Sequence, residues 1–161
     1  MSKKLYIINA NYYEEISSRL LKGAISYCEN NKIDYQIVEV PGALEIPSAI
    51  NIIHTKVNDL DSMEEIARLK KEYPESIISI GYIALGCIIK GETSHYDVVV
   101  YESAYGLTEL SISKNIILSN SILTVDNYEQ ALERSKDDES NKGYHAAKAC
   151  NILIDIKNGK I

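Results

Sequence analysis

Between Ala84 and Val100 the chain reads ALGCIIKGETSHYDVVV, an apolar run that breaks at Gly91 into a polar turn carrying Glu92, Thr93 and His95. An imidazole such as that of His95 moves protons near neutral pH, because its unperturbed pKa is about 6.5. Thr93 offers a hydroxyl, and backbone N–H groups in a turn that enters a helix suit an anion such as phosphate. Plainer readings stand beside these: a lone loop histidine is often structural, and Asp97 reads as the cap of the following helix. A second place is Pro41-Gly42-Ala43-Leu44-Glu45-Ile46-Pro47, where Gly42 lets the backbone bend toward a ligand. Glu45 there is a lone carboxylate that could accept hydrogen bonds from hydroxyls or simply favour a helix dipole from its first turn. A third is Tyr12, which could lie against a planar ring or be an ordinary surface tyrosine. Neither G-x-x-x-x-G-K-S/T nor G-x-G-x-x-G is present, which excludes the common nucleotide loops as the source of a phosphate site.

These residues make a site only if the elements around them converge. Lys4 to Asn9 reads as a strand, and Glu14 to Asn31 has helical spacing, with Ile16, Leu20, Leu21, Ala24, Ile25 and Cys28 on one face. Tyr35 to Val40 is a second strand, broken by Pro41-Gly42, and Leu44 to His54 follows as a helix. Ser76 to Ile89 and Ile116 to Val125 read as strands, Asp97 to Leu110 as the helix between them, and Asn127 to Lys136 and Asn141 to Lys157 as closing helices. Asp126 with Glu129 forms a variant capping box. The charged stretch 59–76, DLDSMEEIARLKKEYPES, reads as a solvated helical extension or a partner-binding surface. Strands that alternate with helices imply an α/β fold, a parallel sheet covered on both faces by right-handed crossovers. Ligands then bind outside the carboxyl ends of the strands, which is where all three places fall.

The 161 residues suit a single domain, 1–161, which at this size buries roughly 68–70% of the surface its unfolded chain exposes. With 17 basic and 23 acidic residues the formal charge is -6, and no Lys/Arg block could track a nucleic acid backbone. Cys28, Cys87 and Cys150 lie far apart with no metal-ligand spacing, as buried reduced thiols of a cytoplasmic protein do. Leu5 to Ile8 is too short for a signal peptide's apolar region, and Gly81 to Ile89 falls well below the ~18 residues of a membrane span. Tyrosine is the only aromatic apart from histidine, in twelve copies without Trp or Phe, so a stacked ligand ring must meet a tyrosine or a histidine.

The motifs PGALEIP, ALGCIIKGETSHYDVV and LTVDNYEQALERS with the later NKG together resemble the 6,7-dimethyl-8-ribityllumazine synthase family, in that family's order and over nearly the whole chain. The resemblance implies a single doubly wound, flavodoxin-like domain with a four-stranded parallel sheet of order 2-1-3-4 flanked by helices on both faces. It implies condensation of 5-amino-6-(D-ribitylamino)uracil with 3,4-dihydroxy-2-butanone 4-phosphate, releasing phosphate and water, with no metal or organic cofactor. Carried over by motif, Tyr12 would stack on the pyrimidine. Ala43, Leu44 and Glu45 would contact the ring and ribityl chain, and Cys87, Ile88 and Ile89 the uracil. Glu92, Thr93 and Arg134 would hold the butanone phosphate, Lys142 would lie near the ring oxygens, and His95 would transfer protons. The family also implies a homopentamer with sites between subunits, a 60-subunit shell and association with riboflavin synthase.

Four departures accompany the resemblance. Counting back from Thr124, the family's second aromatic falls at Asn120, or with slipped register at Ser119 or Ser121, none of which can stack. Lys90 stands where Arg is common, a point charge in place of a planar fork. The segment from Pro47 to Gly86 is roughly 20 residues longer than usual, as surface insertions are. Lys136-Asp137-Asp138-Glu139 puts charge where shell-forming members carry small residues, although the Arg134 to Lys142 connection has a shell-compatible length. A non-catalytic relative that binds a lumazine or flavin, or only assembles shells, is the competing expectation. A third expectation, a phosphohydrolase with a flavodoxin-like fold, lacks an obvious nucleophile, since no Cys-x5-Arg or paired-Asp motif is present in the chain.

Overall fold

Short runs rich in Ile, Val and Leu form the strands of the computed structural model, which describes residues 2–58 and 79–160. β1 (Lys3–Ala10), β2 (Asp34–Val40), β3 (Ser79–Ile89) and β4 (Leu118–Val125) pair in parallel in the order β2-β1-β3-β4. The helices among the described residues are α1 (Glu14–Asn30), α2 (Glu45–Asn58), α3 (His95–Ser113), α4 (Tyr128–Arg134) and α5 (Lys142–Lys157). This is the doubly wound α/β order that the alternation and the resemblance predict. The stretch 59–76 lies outside the described residues, and among these no helix is long and apolar enough to cross a membrane.

Each face of the sheet has its own apolar layer. Leu5, Ile7, Ile83 and Leu85 pack with Ile16, Leu20, Ala24 and Cys28 of α1 and with Ala146, Ala147, Cys150 and Ile154 of α5. On the opposite face Ile8, Ala10, Tyr82 and Ala84 pack with Ile46 and Ile50 of α2 and Leu107 and Leu110 of α3. The four-residue spacing of Ile16, Leu20, Ala24 and Cys28 is the helical stripe expected of α1; all four are fully buried, and burial of Ile16 and Leu20 is worth about 1.5–3 kcal/mol each. β3 is buried on both faces from Gly81 to Ile88, as a central parallel strand must be.

Two helix starts differ from the expectation. α3 begins at His95 behind Ser94, so Asp97 is not the cap but a first-turn carboxylate, its backbone N–H bonded to the Ser94 carbonyl. α4 is capped one residue later than Asp126: the Asn127 side chain accepts from the Gln130 N–H, and the Gln130 side chain accepts from the Asp126 N–H. Gln130 thus does the work expected of Glu129, because an amide oxygen three residues past Asn127 reaches the same free N–H groups.

Asn141 ties α1, α4 and α5 together. Its buried side chain donates to the carbonyls of Arg19 at 3.1 Å and Lys136 at 2.8 Å and accepts from the N–H of Gly143 at 2.8 Å and of Tyr144 at 3.3 Å. The helices meet so closely here that a Cβ on Gly143 would collide with the Leu20 carbonyl, and one on Gly23 with the Asn141 amide. Asn141→Ala is expected to lower stability by roughly 2–4 kcal/mol, the sum of a lost helix cap and of buried carbonyls left unpaired. Thermal or denaturant unfolding measures it, and a loss below about 0.5 kcal/mol would remove Asn141 from this role.

Candidate active site

The pairing of β1 with β3 ends at Asn9 and Leu85, whereas that of β3 with β4 continues to Ile89 and Val125. The last residues of β3 therefore have no strand beside them on the β1 side. There the chain leaves β1 toward α1 on one face and leaves β3 toward α3 on the other, so a crevice opens between them. It holds a cavity of roughly 430 Å3.

Three loops and the end of β3 line this cavity. Tyr12 and Tyr13 come from the β1–α1 loop, and Pro41, Gly42, Ala43, Leu44 and Glu45 from the turn into α2. Cys87, Ile88 and Ile89 form the floor, and Gly91, Thr93, His95, Tyr96 and Val99 come from the turn into α3 and its first turns. Glu45 is the first residue of α2, and a Cβ on Gly42 would stand 3.0 Å from its Oε2. Gly42 thus leaves room for the carboxylate; its φ is not positive, so the turn does not need a glycine for backbone strain. His95 is exposed, and no hydrogen bond to another described residue ties its ring.

Burial sets the protonation of the other groups. It pushes the Cys87 thiol up to about 11 and raises the Tyr13 phenol, with smaller contributions from Tyr12 and Cys87 in the latter case. The Tyr96 phenol is raised by burial and then by Asp126 and Asp97. At neutral pH the thiol and both phenols are neutral, so Cys87 is a wall rather than a nucleophile. An aromatic and aliphatic slot, a carboxylate at one side and a hydroxyl with an imidazole at a helix start suit a planar ring bearing hydroxyls and a small anion.

A family described as 6,7-dimethyl-8-ribityllumazine synthase matches residues 2–158. The chain belongs to the 6,7-dimethyl-8-ribityllumazine synthase family. Proteins of that name from Bartonella tribocorum and Methylorubrum populi are similar to it, the first 40% identical over 159 residues, 98% of this chain and 93% of the relative. The second is 42% identical over 154 residues, 96% of this chain and 82% of the relative. A third, from Bartonella henselae, is 41% identical over 157 residues, covering 96% and 90%.

Of the residues carried over from the lumazine synthase motifs, Tyr12, Ala43, Leu44, Glu45, Cys87, Ile88, Ile89, Thr93 and His95 line one cavity. Glu92 is exposed in the same turn but does not line it. Arg134, at the end of α4, donates to the Gln130 carbonyl at 3.0 Å, and Lys142 opens α5; both are exposed, and neither lines the cavity of their own chain. Asn120 is exposed on the edge strand β4 beside Ala84, and its Oδ1 accepts from the Ile122 N–H at 2.9 Å. Ser119 and Ser121 turn the other way, their hydroxyls donating to the carbonyls of Ala146 and Lys142, so of the three candidates only Asn120 faces away from α5.

Tyr13, Tyr96 and Val99 line the cavity without having been singled out in the sequence. The signal for the last two was the three-residue spacing that puts Tyr96 and Val99 on one side of α3. For Tyr13 it was adjacency to Tyr12 alone. The raised Cys87 pKa gives a direct expectation: alkylation by iodoacetamide at pH 8 runs about a hundredfold or more below that of a free cysteine and climbs about tenfold per pH unit above that. Site-resolved mass spectrometry checks it, and rapid labelling of Cys87 at pH 7 would show a thiolate.

Proposed function

We infer that this chain is an enzyme, a transferase that condenses 5-amino-6-(D-ribitylamino)uracil with 3,4-dihydroxy-2-butanone 4-phosphate to 6,7-dimethyl-8-ribityllumazine and phosphate, a step of riboflavin biosynthesis. The observation that carries the reading is the convergence, in one crevice at the carboxyl edge of the sheet, of two family motifs, PGALEIP and GETSHYD, with the Tyr12 loop. The pyrimidine lies on Tyr12 over Cys87, Ile88 and Ile89, with the unpaired edge of β3 offering backbone groups to the uracil. Glu45 accepts from ribityl hydroxyls, with Ala43 and Leu44 alongside. Thr93 and the backbone at Glu92 hold the phosphate where α3 begins.

The pyrimidine's primary amine attacks the butanone carbonyl and one water leaves as the imine forms; phosphate is eliminated, the resulting enol tautomerises to a carbonyl, and the second amine attacks that carbonyl and closes the ring with loss of a second water. His95, unencumbered at the mouth of the cavity, takes and returns the protons. Holding both reactants together removes ~7–11 kcal/mol of barrier, and a placed proton donor adds a further ~10²–10⁴-fold. A purely binding or shell-forming relative is less well supported, since such a protein has no use for a free imidazole beside Thr93.

The exposure of Arg134, Lys142 and Asn120 outside the lining of their own cavity supports a site shared between copies. In this reading one 1–161 domain supplies Tyr12, Glu45 and His95, and its neighbour in a homopentamer supplies Arg134 to the phosphate and Lys142 and Asn120 to the ring. A heterologous contact repeated five times closes such a ring. Assembly of pentamers into a 60-subunit shell, association with riboflavin synthase and a cytoplasmic location extend the same reading.

A steady-state assay with both substrates, following lumazine absorbance, tests the activity. His95→Ala should lower kcat by about 10²-fold or more with the fold intact, and an unchanged kcat would take His95 out of the mechanism. The shared site is tested by co-expressing His95→Ala and Arg134→Ala chains. Random mixing then rebuilds intact sites at about a quarter of the interfaces. Activity no higher than the mean of the two variants would place His95 and Arg134 in one chain's site.

A further inference from the structure

Tyr13 occupies the N-cap of α1, a position where Ser, Thr, Asp or Asn is strongly favoured because a short side-chain oxygen can take a free N–H of the first turn. The phenol makes no such bond. A local rule broken in this way, with no local gain, is characteristic of functional positions. The ring instead lies edge-on to Tyr12, with centroids 5.1 Å apart and planes at 71°, the geometry that aromatic quadrupoles prefer. The two partners differ in support: Tyr13 is partly buried and packs on the core beneath α1, whereas the Tyr12 side chain is 74% exposed. Both line the cavity, and on β4 the amide of Asn120 is turned to its own strand's backbone, so that strand provides no ring.

We propose that Tyr13 is a positioning residue that fixes the exposed Tyr12 ring in the orientation needed to stack on a planar heteroaromatic substrate. Tyr13 trades a helix cap for this role and compensates for the ring missing at Asn120. The proposal rests on the reading above that the pyrimidine lies on Tyr12, and it extends that reading to a residue outside the family motifs. Because Tyr13 acts through Tyr12, its loss weakens binding of the ring-bearing substrate and leaves the phosphate-bearing one alone.

Two variants separate positioning from packing: Tyr13→Asn removes the ring and installs a favoured cap, and Tyr13→Phe keeps the ring. Tyr13→Asn should change Tm little, because the gained cap offsets the lost ring packing, leave the Tyr12 ring without one defined orientation in a crystal structure, and raise the pyrimidine KM about tenfold, with the butanone phosphate KM within about twofold of wild type. Tyr13→Phe should match the wild type on every count. An unchanged pyrimidine KM in Tyr13→Asn, or a Tyr12 ring held in its original place without Tyr13, would overturn the proposal, as would a lowered Tm with both KM values raised equally. A wild type that forms no lumazine would sink the functional reading alone, and the order of the Tyr12 ring in the two variants would still decide the role of Tyr13.

Discussion

The unequal length of two backbone ladders organises this molecule. β3 is paired with β1 only as far as Leu85 but with β4 as far as Ile89, so four residues of a strand buried on nearly its whole length face the crevice with one edge unpaired. Backbone N–H and C=O groups at that depth need partners, and water or a ligand must supply them. The divergence of α1 and α3 to opposite faces keeps any other strand out. Every loop that lines the cavity is therefore anchored to the end of a strand whose register the two apolar layers enforce, since a one-residue slip would turn each layer toward the wrong side.

A second constraint acts at the far side of β4. Asn141 holds the α4–α5 connection against the Arg19 carbonyl, and the absence of a side chain at Gly143 lets α5 approach α1 closely. Arg134 and Lys142 bracket that connection and take their direction from it. Both are exposed and neither lines the cavity of the same chain. Under the shared-site reading, Asn141 thus governs geometry at the neighbour's cavity, and its role in stability and its role in function have one cause.

Much of this could be read from residue patterns. Alternating strand and helix signals and the Ile16, Leu20, Ala24, Cys28 stripe lead to the doubly wound sheet, and the PGALEIP and GETSHYD motifs lead to two of the cavity's walls. Helix starts were less legible because several short polar residues compete for the same free N–H groups. Ser94 rather than Asp97 precedes α3, and Asn127 rather than Asp126 caps α4 because Gln130 reciprocates. Tyr13 was illegible for the opposite reason: its type argues against the position it holds, and only the angle between two adjacent rings reveals its use. Likewise the direction of Asn120 follows from hydrogen bonds of Ser119 and Ser121 to α5, which lie 27 and 21 residues away in sequence.

The cavity is sparing in charge, with a neutral thiol and neutral phenols around one carboxylate and one imidazole. For a condensation of two reactive partners this is sufficient. A general acid–base residue contributes ~10²–10⁴-fold, about 3–5 kcal/mol, whereas uniting two reactants in an attack geometry contributes ~7–11 kcal/mol. The larger share depends on where rings and loops are held, and errors of about 1 Å erode it about a hundredfold. The ladder offset, the Asn141 clamp and the Tyr12–Tyr13 pair all act on position and none on chemistry. In such a site the scaffold carries the larger share, and under the proposed reading His95 works on a geometry that the sheet has already set.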